Sequence, residues 1–239
     1  MAFRLNFNIR ILAALMLCFS ILTLSATAQK SRTRVLVQND KQQVRFDTVQ
    51  CVKNAFKLNP LIFLTGEIPV YYERALSPQI SFEIALGYTF RNYMSLLYGN
   101  EADDFGGGVE ILPNPSFHFA VRYYFEPNLE LEGLYLSPEF SYRKYSKNIA
   151  VKDADGRFTD ENNLDERKFN DIKVLIGYQS LSHSSNWLLD FYTGLGVRVR
   201  DMQIVEETNH LGNGWSYNIE QVNDIVPAFY IGIKFGLGF

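Results

Sequence analysis

Apolar and polar residues alternate from Ile80 to Arg91. Ile80, Phe82, Ile84, Leu86, Tyr88 and Phe90 occupy the even positions. Ser81, Glu83, Ala85, Gly87, Thr89 and Arg91 occupy the odd ones. Successive side chains of a strand point to opposite faces, so this period of two predicts a strand with one apolar and one polar face. A helix would scatter the same residues around its circumference. The pattern returns over Ser116 to Glu126, Leu134 to Tyr145, Asp171 to Gln179, Leu189 to Arg200 and Phe229 to Phe239. Two weaker segments, Asn54 to Leu64 and Ile68 to Leu76, precede these. Pro60 and Pro69 blur their facing. The pattern therefore predicts eight strands, and single-chain bacterial barrels have even numbers.

The less apolar face decides what kind of barrel is expected. Between Trp187 and Arg200 it reads Asp190, Tyr192, Gly194, Gly196, Arg198. In the last segment it reads Tyr230, Gly232, Lys234, Gly236, Gly238. Small residues with isolated charges suit a narrow interior rather than a surface facing water. The apolar face then meets lipid. A sheet in lipid leaves no edge unpaired, so it closes. The fold class expected is all-β, an eight-stranded antiparallel transmembrane β-barrel. Tyr88, Phe90, Tyr93, Tyr123 and Phe125, near segment ends, suit interfacial aromatic girdles. The connections alternate in length. Ser77-Pro78, Glu126 to Leu131 and Ser182 to Asn186 are short; Asn92 to Pro115, Lys147 to Arg167 and Met202 to Asp224 are long. With short turns periplasmic, every long connection falls outside, and Thr65 to Glu67 is the one short outer connection.

The start of the chain sets the compartment. Arg4 and Arg10 precede an apolar stretch, Ile11 to Leu24, and then Ser25-Ala26-Thr27-Ala28. This is the order of a cleaved secretory signal, with cleavage expected after Ala28. Leu17 before Cys18 argues against a lipid anchor. The expected organisation is a signal peptide over 1–28, a basic periplasmic segment over 29–51, and a barrel over 52–239. Arg34 to Val37 and Gln43 to Val49 leave room for two further strands. The mature chain keeps one cysteine, Cys51, so no internal disulfide is expected. A net charge of -3 argues against nucleic acid as a partner.

The stretch Asn59-Pro60-Leu61, then Gly66-Glu67-Ile68-Pro69-Val70-Tyr71-Tyr72-Glu73-Arg74-Ala75-Leu76, resembles the opening of a family of small Bacteroidota outer-membrane barrels without an established activity. The likeness covers roughly residues 52 to 239. It implies the architecture of OmpX- and OmpA-type barrels. It also implies recognition of the final aromatic strand, ending in Phe239, by the barrel assembly machinery. Outer-membrane lipid and lipopolysaccharide are the surroundings it implies.

The candidate chemistry lies on the polar face. Glu83, Arg122, Glu139, Arg143, Lys173, Asp190, Arg198 and Lys234 are expected to form a lumen polar network, with Lys57 and Glu73 less securely placed. Charges removed from water must pair and be hydrogen-bonded, so a polar plug is the plain reading. A narrow selective pore is the sharper one, and eight strands leave little open space for it. His118, flanked on its face by Ser116 and Ala120, is the candidate for a lipid A-modifying enzyme. His183-Ser184-Ser185-Asn186 is similar to the His-x-Ser-Asn stretch of lipid A deacylases, but falls in an expected periplasmic turn. Asp153-x-Asp155-Gly156 lacks the EF-hand spacing, and Gly106-Gly107-Gly108 lacks the strand and helix of a phosphate site. No metal site and no cofactor are expected. Three acid-bearing outer loops above an interior without a catalytic constellation point to a non-enzymatic barrel, structural or surface-binding. A soluble lipocalin-like carrier is a further alternative.

Overall fold

The structure is a computed structural model that describes residues 51–92, 108–153, 155–182, 185–210 and 214–239. The signal segment, nearly all of 29–51 with its two possible strands, the acids of 93–107 and the His183-Ser184 pair lie outside the described residues.

The strands are β1 (Asn54–Leu58), β2 (Glu67–Ala75), β3 (Ile80–Thr89), β4 (Val109–Leu112), β5 (Asn114–Tyr124), β6 (Gly133–Lys152), β7 (Phe158–Leu181), β8 (Trp187–His210) and β9 (Gly214–Gly238). One short helix, α1 (Pro60–Phe63), follows β1. All strands but β4 close an antiparallel ring of eight, β1-β2-β3-β5-β6-β7-β8-β9, which returns to β1. This is the expected strand count and closure. Among the described residues β4 pairs only with the far part of β6. Beyond Pro113 the register slips by one residue, from Leu112↔Ser146 to Phe117↔Tyr142.

The register determines the barrel's dimensions. Paired outward residues run Phe56, Tyr72, Ile84, Phe119, Phe140, Ile172, Val197, Pro227 around the ring. Phe56 itself pairs with Leu237 on β9. The circuit therefore closes with a shear of 237 − 227 = 10 residues. With about 3.3 Å per residue and about 4.8 Å between strands, this shear tilts the strands by about 41° at a radius of about 8 Å. That interior holds side chains and little else.

Burial follows the period of two. Along β5, Ser116, His118, Ala120, Arg122 and Tyr124 are buried, while Phe117, Phe119, Val121 and Tyr123 are exposed. The facing of β1 and β2, blurred by their prolines, is odd-inward: Ala55, Lys57, Glu67, Tyr71, Glu73 and Ala75 point into the barrel. The outside is a continuous apolar belt. On β8 it runs from Trp187 to Val199 before Asp201 ends it.

Two expectations need correction. The first segment does not continue as a strand to Leu64. Pro60 has no N–H for a ladder and suits a helix's first turn, so α1 begins there. Thr65 to Glu67 is not simply a short outer connection either, since the link from β1 spans α1 and Glu67 already belongs to β2. The second correction concerns the long connections. Lys147 to Arg167 and Met202 to Asp224 are largely ladder: β6 pairs with β7 out to Lys152↔Phe158, and β8 with β9 out to His210↔Gly214. Above the belt neither face is consistently apolar, so alternation vanishes from the sequence while backbone pairing continues. A tall sheet thus rises from one side of a short barrel. Gly66 (φ 78°) lets the opposite rim close, because a Cβ there would lie 2.0 Å from the Arg91 carbonyl oxygen.

Candidate functional site: the filled lumen

The end of the barrel with the short turns is sealed by apolar side chains. Val52, Ala55, Ala75, Leu131, Leu181 and Leu188 form one buried cluster, with Leu129 packed against it. Leu129 and Leu131 come from the turn between β5 and β6, which folds under the barrel.

A lower charged deck lies above this floor. Three carboxylates, Glu73, Glu83 and Asp190, meet three cations, Lys57, Arg122 and Lys234, all buried. Lys57 Nζ lies 2.5 Å from both Glu73 and Glu83. Arg122 lies 2.7 Å from Glu83 and 2.9 Å from Asp190, and Lys234 lies 2.5 Å from Glu83. The remaining lone pairs are also used. Tyr124 and Ser81 donate to Glu73, and Tyr135 donates to Asp190 at 2.6 Å. Gln179 accepts from Lys57 and Arg122, and donates to Glu73 and to the Leu131 carbonyl. The deck is therefore neutral, with its carboxylates and cations engaged in several contacts each, which is the condition under which buried charges persist.

Aromatic rings separate it from a second deck. Tyr71 and Tyr192 hold Lys234 at 4.1 and 5.0 Å from their ring centroids, and Asn59 donates to the Tyr192 hydroxyl. Gly232 makes room for Tyr192, since a Cβ there would fall 2.2 Å from the ring. Above these, Glu67, Glu139 and Asp171 face Lys173, Arg143, Arg198 and His118. His118 presents Nε2 to Glu67 at 2.7 Å and Nδ1 to Glu139 at 2.9 Å. Both of its ring nitrogens thus face carboxylates. Lys173 lies 2.9 Å from Glu139. Arg198 grips Asp171 with two parallel bonds, and Arg143 binds the same carboxylate.

All eight residues of the expected network, Glu83, Arg122, Glu139, Arg143, Lys173, Asp190, Arg198 and Lys234, stand on the inner wall with Lys57, Glu73 and His118. They do not form one cluster: Glu83, Arg122, Asp190 and Lys234 belong with Lys57 and Glu73 to the lower deck, and Glu139, Arg143, Lys173 and Arg198 belong with His118 to the upper. Sequence reasoning missed Glu67, Asp171 and Gln179. Glu67 was hidden by its assignment to a turn, whereas the period of two alone places Asp171 and Gln179 inward.

Outside the lumen, the long hairpins meet at their tips. Lys152 Nζ sits 4.0 Å from the Trp215 ring centroid and 5.7 Å from that of Phe158, and pairs with Glu207 at 2.9 Å. The Lys152 amide donates to Tyr217, whose hydroxyl donates to Glu207. Among the described residues, no group of three or more His, Cys, Asp or Glu side chains has the arrangement to hold a metal ion. Comparison with models of protein families, with characterised proteins and with solved structures gives no match.

Proposed function

We propose that this chain is an outer-membrane barrel with a plugged lumen, serving as a rigid stalk for a sheet that binds ligands at the cell surface. The observation that carries this reading is the asymmetry of the wall. β1, β2, β3 and β5 end near the belt, while β6 to β9, each 20 to 25 residues long in all, continue beyond it and are tied together at their tips. Two features support membrane insertion. The belt on β8 spans the 12 steps from Trp187 to Val199, which at the tilt above rises about 30 Å, the thickness of a bilayer's hydrocarbon core. β1 also closes the ring against β9, over Ala55↔Gly238 to Leu58↔Phe235, and a sheet in lipid favours closure. The cleaved signal at the start of the chain supplies the route of export.

Two further features favour surface binding over transport or catalysis. The two decks fill the radius available, which disfavours a pore. His118 has both ring nitrogens engaged by carboxylates inside the plug, which disfavours it as the base of a lipid A-modifying enzyme. Among the described residues β9 has no strand partner on the edge facing away from β8 from Gly214 to Lys234, which includes all of its protruding part, because β1 pairs only with Phe235 to Gly238. An open edge is a template for another extended chain.

The test has two parts. A heat-dependent gel shift of protein extracted from the outer-membrane fraction is expected. A soluble protein without a shift refutes the membrane reading. Single cysteines at Asp155 and Asn128, in a Cys51→Ser background, are then labelled on intact cells with an impermeant maleimide. Labelling at 155 and not at 128 is the expected result, and the reverse pattern inverts the barrel. Trimming the hairpins above Lys144 and Asp201 should abolish surface binding and leave the heat shift intact. Binding that survives the trimming refutes the role of the sheet.

A further inference from the structure

We infer that the outer wall carries a binding site for the phosphate of an anionic lipid headgroup, formed by Lys144 and Lys168 where the apolar belt ends. The inference rests on the membrane reading and adds to it a place and a partner.

On β6, β7 and β8 the last outward rung of the belt is Tyr142, Asn170 and Val199; the next rung is Lys144, Lys168 and Asp201. Lys144 and Lys168 are directly paired across the ladder. Like charges in that relation destabilise a sheet. One carboxylate offsets them: Glu166 lies 2.6 Å from Lys144 and 2.8 Å from Lys168. Asp201 lies further off, 3.8 Å from Lys168, and is mostly turned to solvent. Each ammonium has three N–H donors and gives one of them to Glu166. Both side chains are partly exposed, one rung beyond the apolar belt, where a bilayer places its phosphates.

The sector is local. Along the same rung, the outward residues of β2, β3, β5 and β9 are Ile68, Tyr88, Pro115 and Asn223, none of them charged. A phosphate seated between the two ammoniums takes the place of the distant, solvent-turned Asp201 as their second negative charge. Tyr142 and Val199, just below, suit the start of its acyl chains.

The experiment uses the full barrel in nanodiscs of phosphatidylcholine with a minority of phosphatidylglycerol. Native mass spectrometry counts the lipids retained on release. Each lysine beside an anionic surface is worth about fivefold in lipid affinity, so Lys144→Gln with Lys168→Gln should cut phosphatidylglycerol enrichment about 25-fold. Arg157→Gln removes the same kind of charge at an exposed hairpin turn and should leave the enrichment unchanged. Enrichment that survives in the double variant overturns the site. An equal loss in Arg157→Gln also overturns it, because net charge then suffices. A chain that does not enter nanodiscs or shift on heating overturns the membrane reading and the site with it, and that outcome is seen before any lipid is counted.

Discussion

Replacing Arg122 with Met tests whether the lower deck is held by charge balance. Arg122 is fully buried, contacts Glu83, Asp190 and Gln179 at 2.7 to 2.9 Å, and stacks over Tyr135 with 4.3 Å to the ring centroid. Met fills much of the volume but leaves three carboxylates facing Lys57 and Lys234. Removing one partner of a buried ion pair strands a charge and costs about 3–5 kcal/mol. Asp190→Asn in the same chain removes one carboxylate, restores two acids against two bases, and keeps an oxygen for the Tyr135 hydroxyl. The double variant should therefore recover about half or more of the loss, a coupling of about 2 kcal/mol. The assay is reversible urea unfolding in detergent micelles or vesicles, followed by the fluorescence of Trp187 and Trp215 and checked by the heat shift on a gel. A single-variant cost below about 1 kcal/mol, or a double variant that loses the sum of the two singles, refutes the reasoning. The deck would then be a set of locally solvated side chains rather than a balanced network.

Other expectations follow from the same geometry. Ile84→Arg, on the belt near its middle, should destabilise the barrel by about 2–4 kcal/mol in vesicles, whereas Ala85→Ser on the inner face should change it little; equal effects would mean that the faces are reversed. Lys152→Ala removes one ammonium from two rings and a carboxylate at the hairpin tips, so amide exchange in both tips should rise about tenfold, and exchange rising in one tip alone would show that the hairpins are independent. Hydrogen bonds from Lys144 and Lys168 hold the Glu166 carboxyl below its ordinary range, and those from Arg200 do the same for Asp224. Because these folded-state values are depressed, the stabilisation is present above the usual carboxylate range of about 4 and is lost as pH falls through the depressed values. Carboxyl carbon titrations by NMR should place both midpoints below those of model peptides, and ordinary midpoints would show that the pairs are not populated in solution.

Much of the barrel is legible in the sequence because burial on one side forces a period of two. Wherever a strand separates an apolar outside from a packed inside, as from Ile80 to Thr89 or from Phe229 to Phe239, parity alone assigns every side chain to its face, and with it Glu83, Arg122 and Lys234 to the interior. Parity fails where that difference ends. The outer halves of β6 to β9 no longer separate an apolar outside from a packed inside, so Asn162 and Asn163 carry no alternation although the ladder runs through them. What the sequence cannot supply is the shear. The ten-residue offset of the closed ring decides which inward residues share a level, and so sets Lys57 of β1 against Asp190 of β8 and Glu67 of β2 against His118 of β5. Those partners lie 133 and 51 residues apart in the chain. Their meeting is a property of the cylinder's tilt, which only closure of the whole sheet determines.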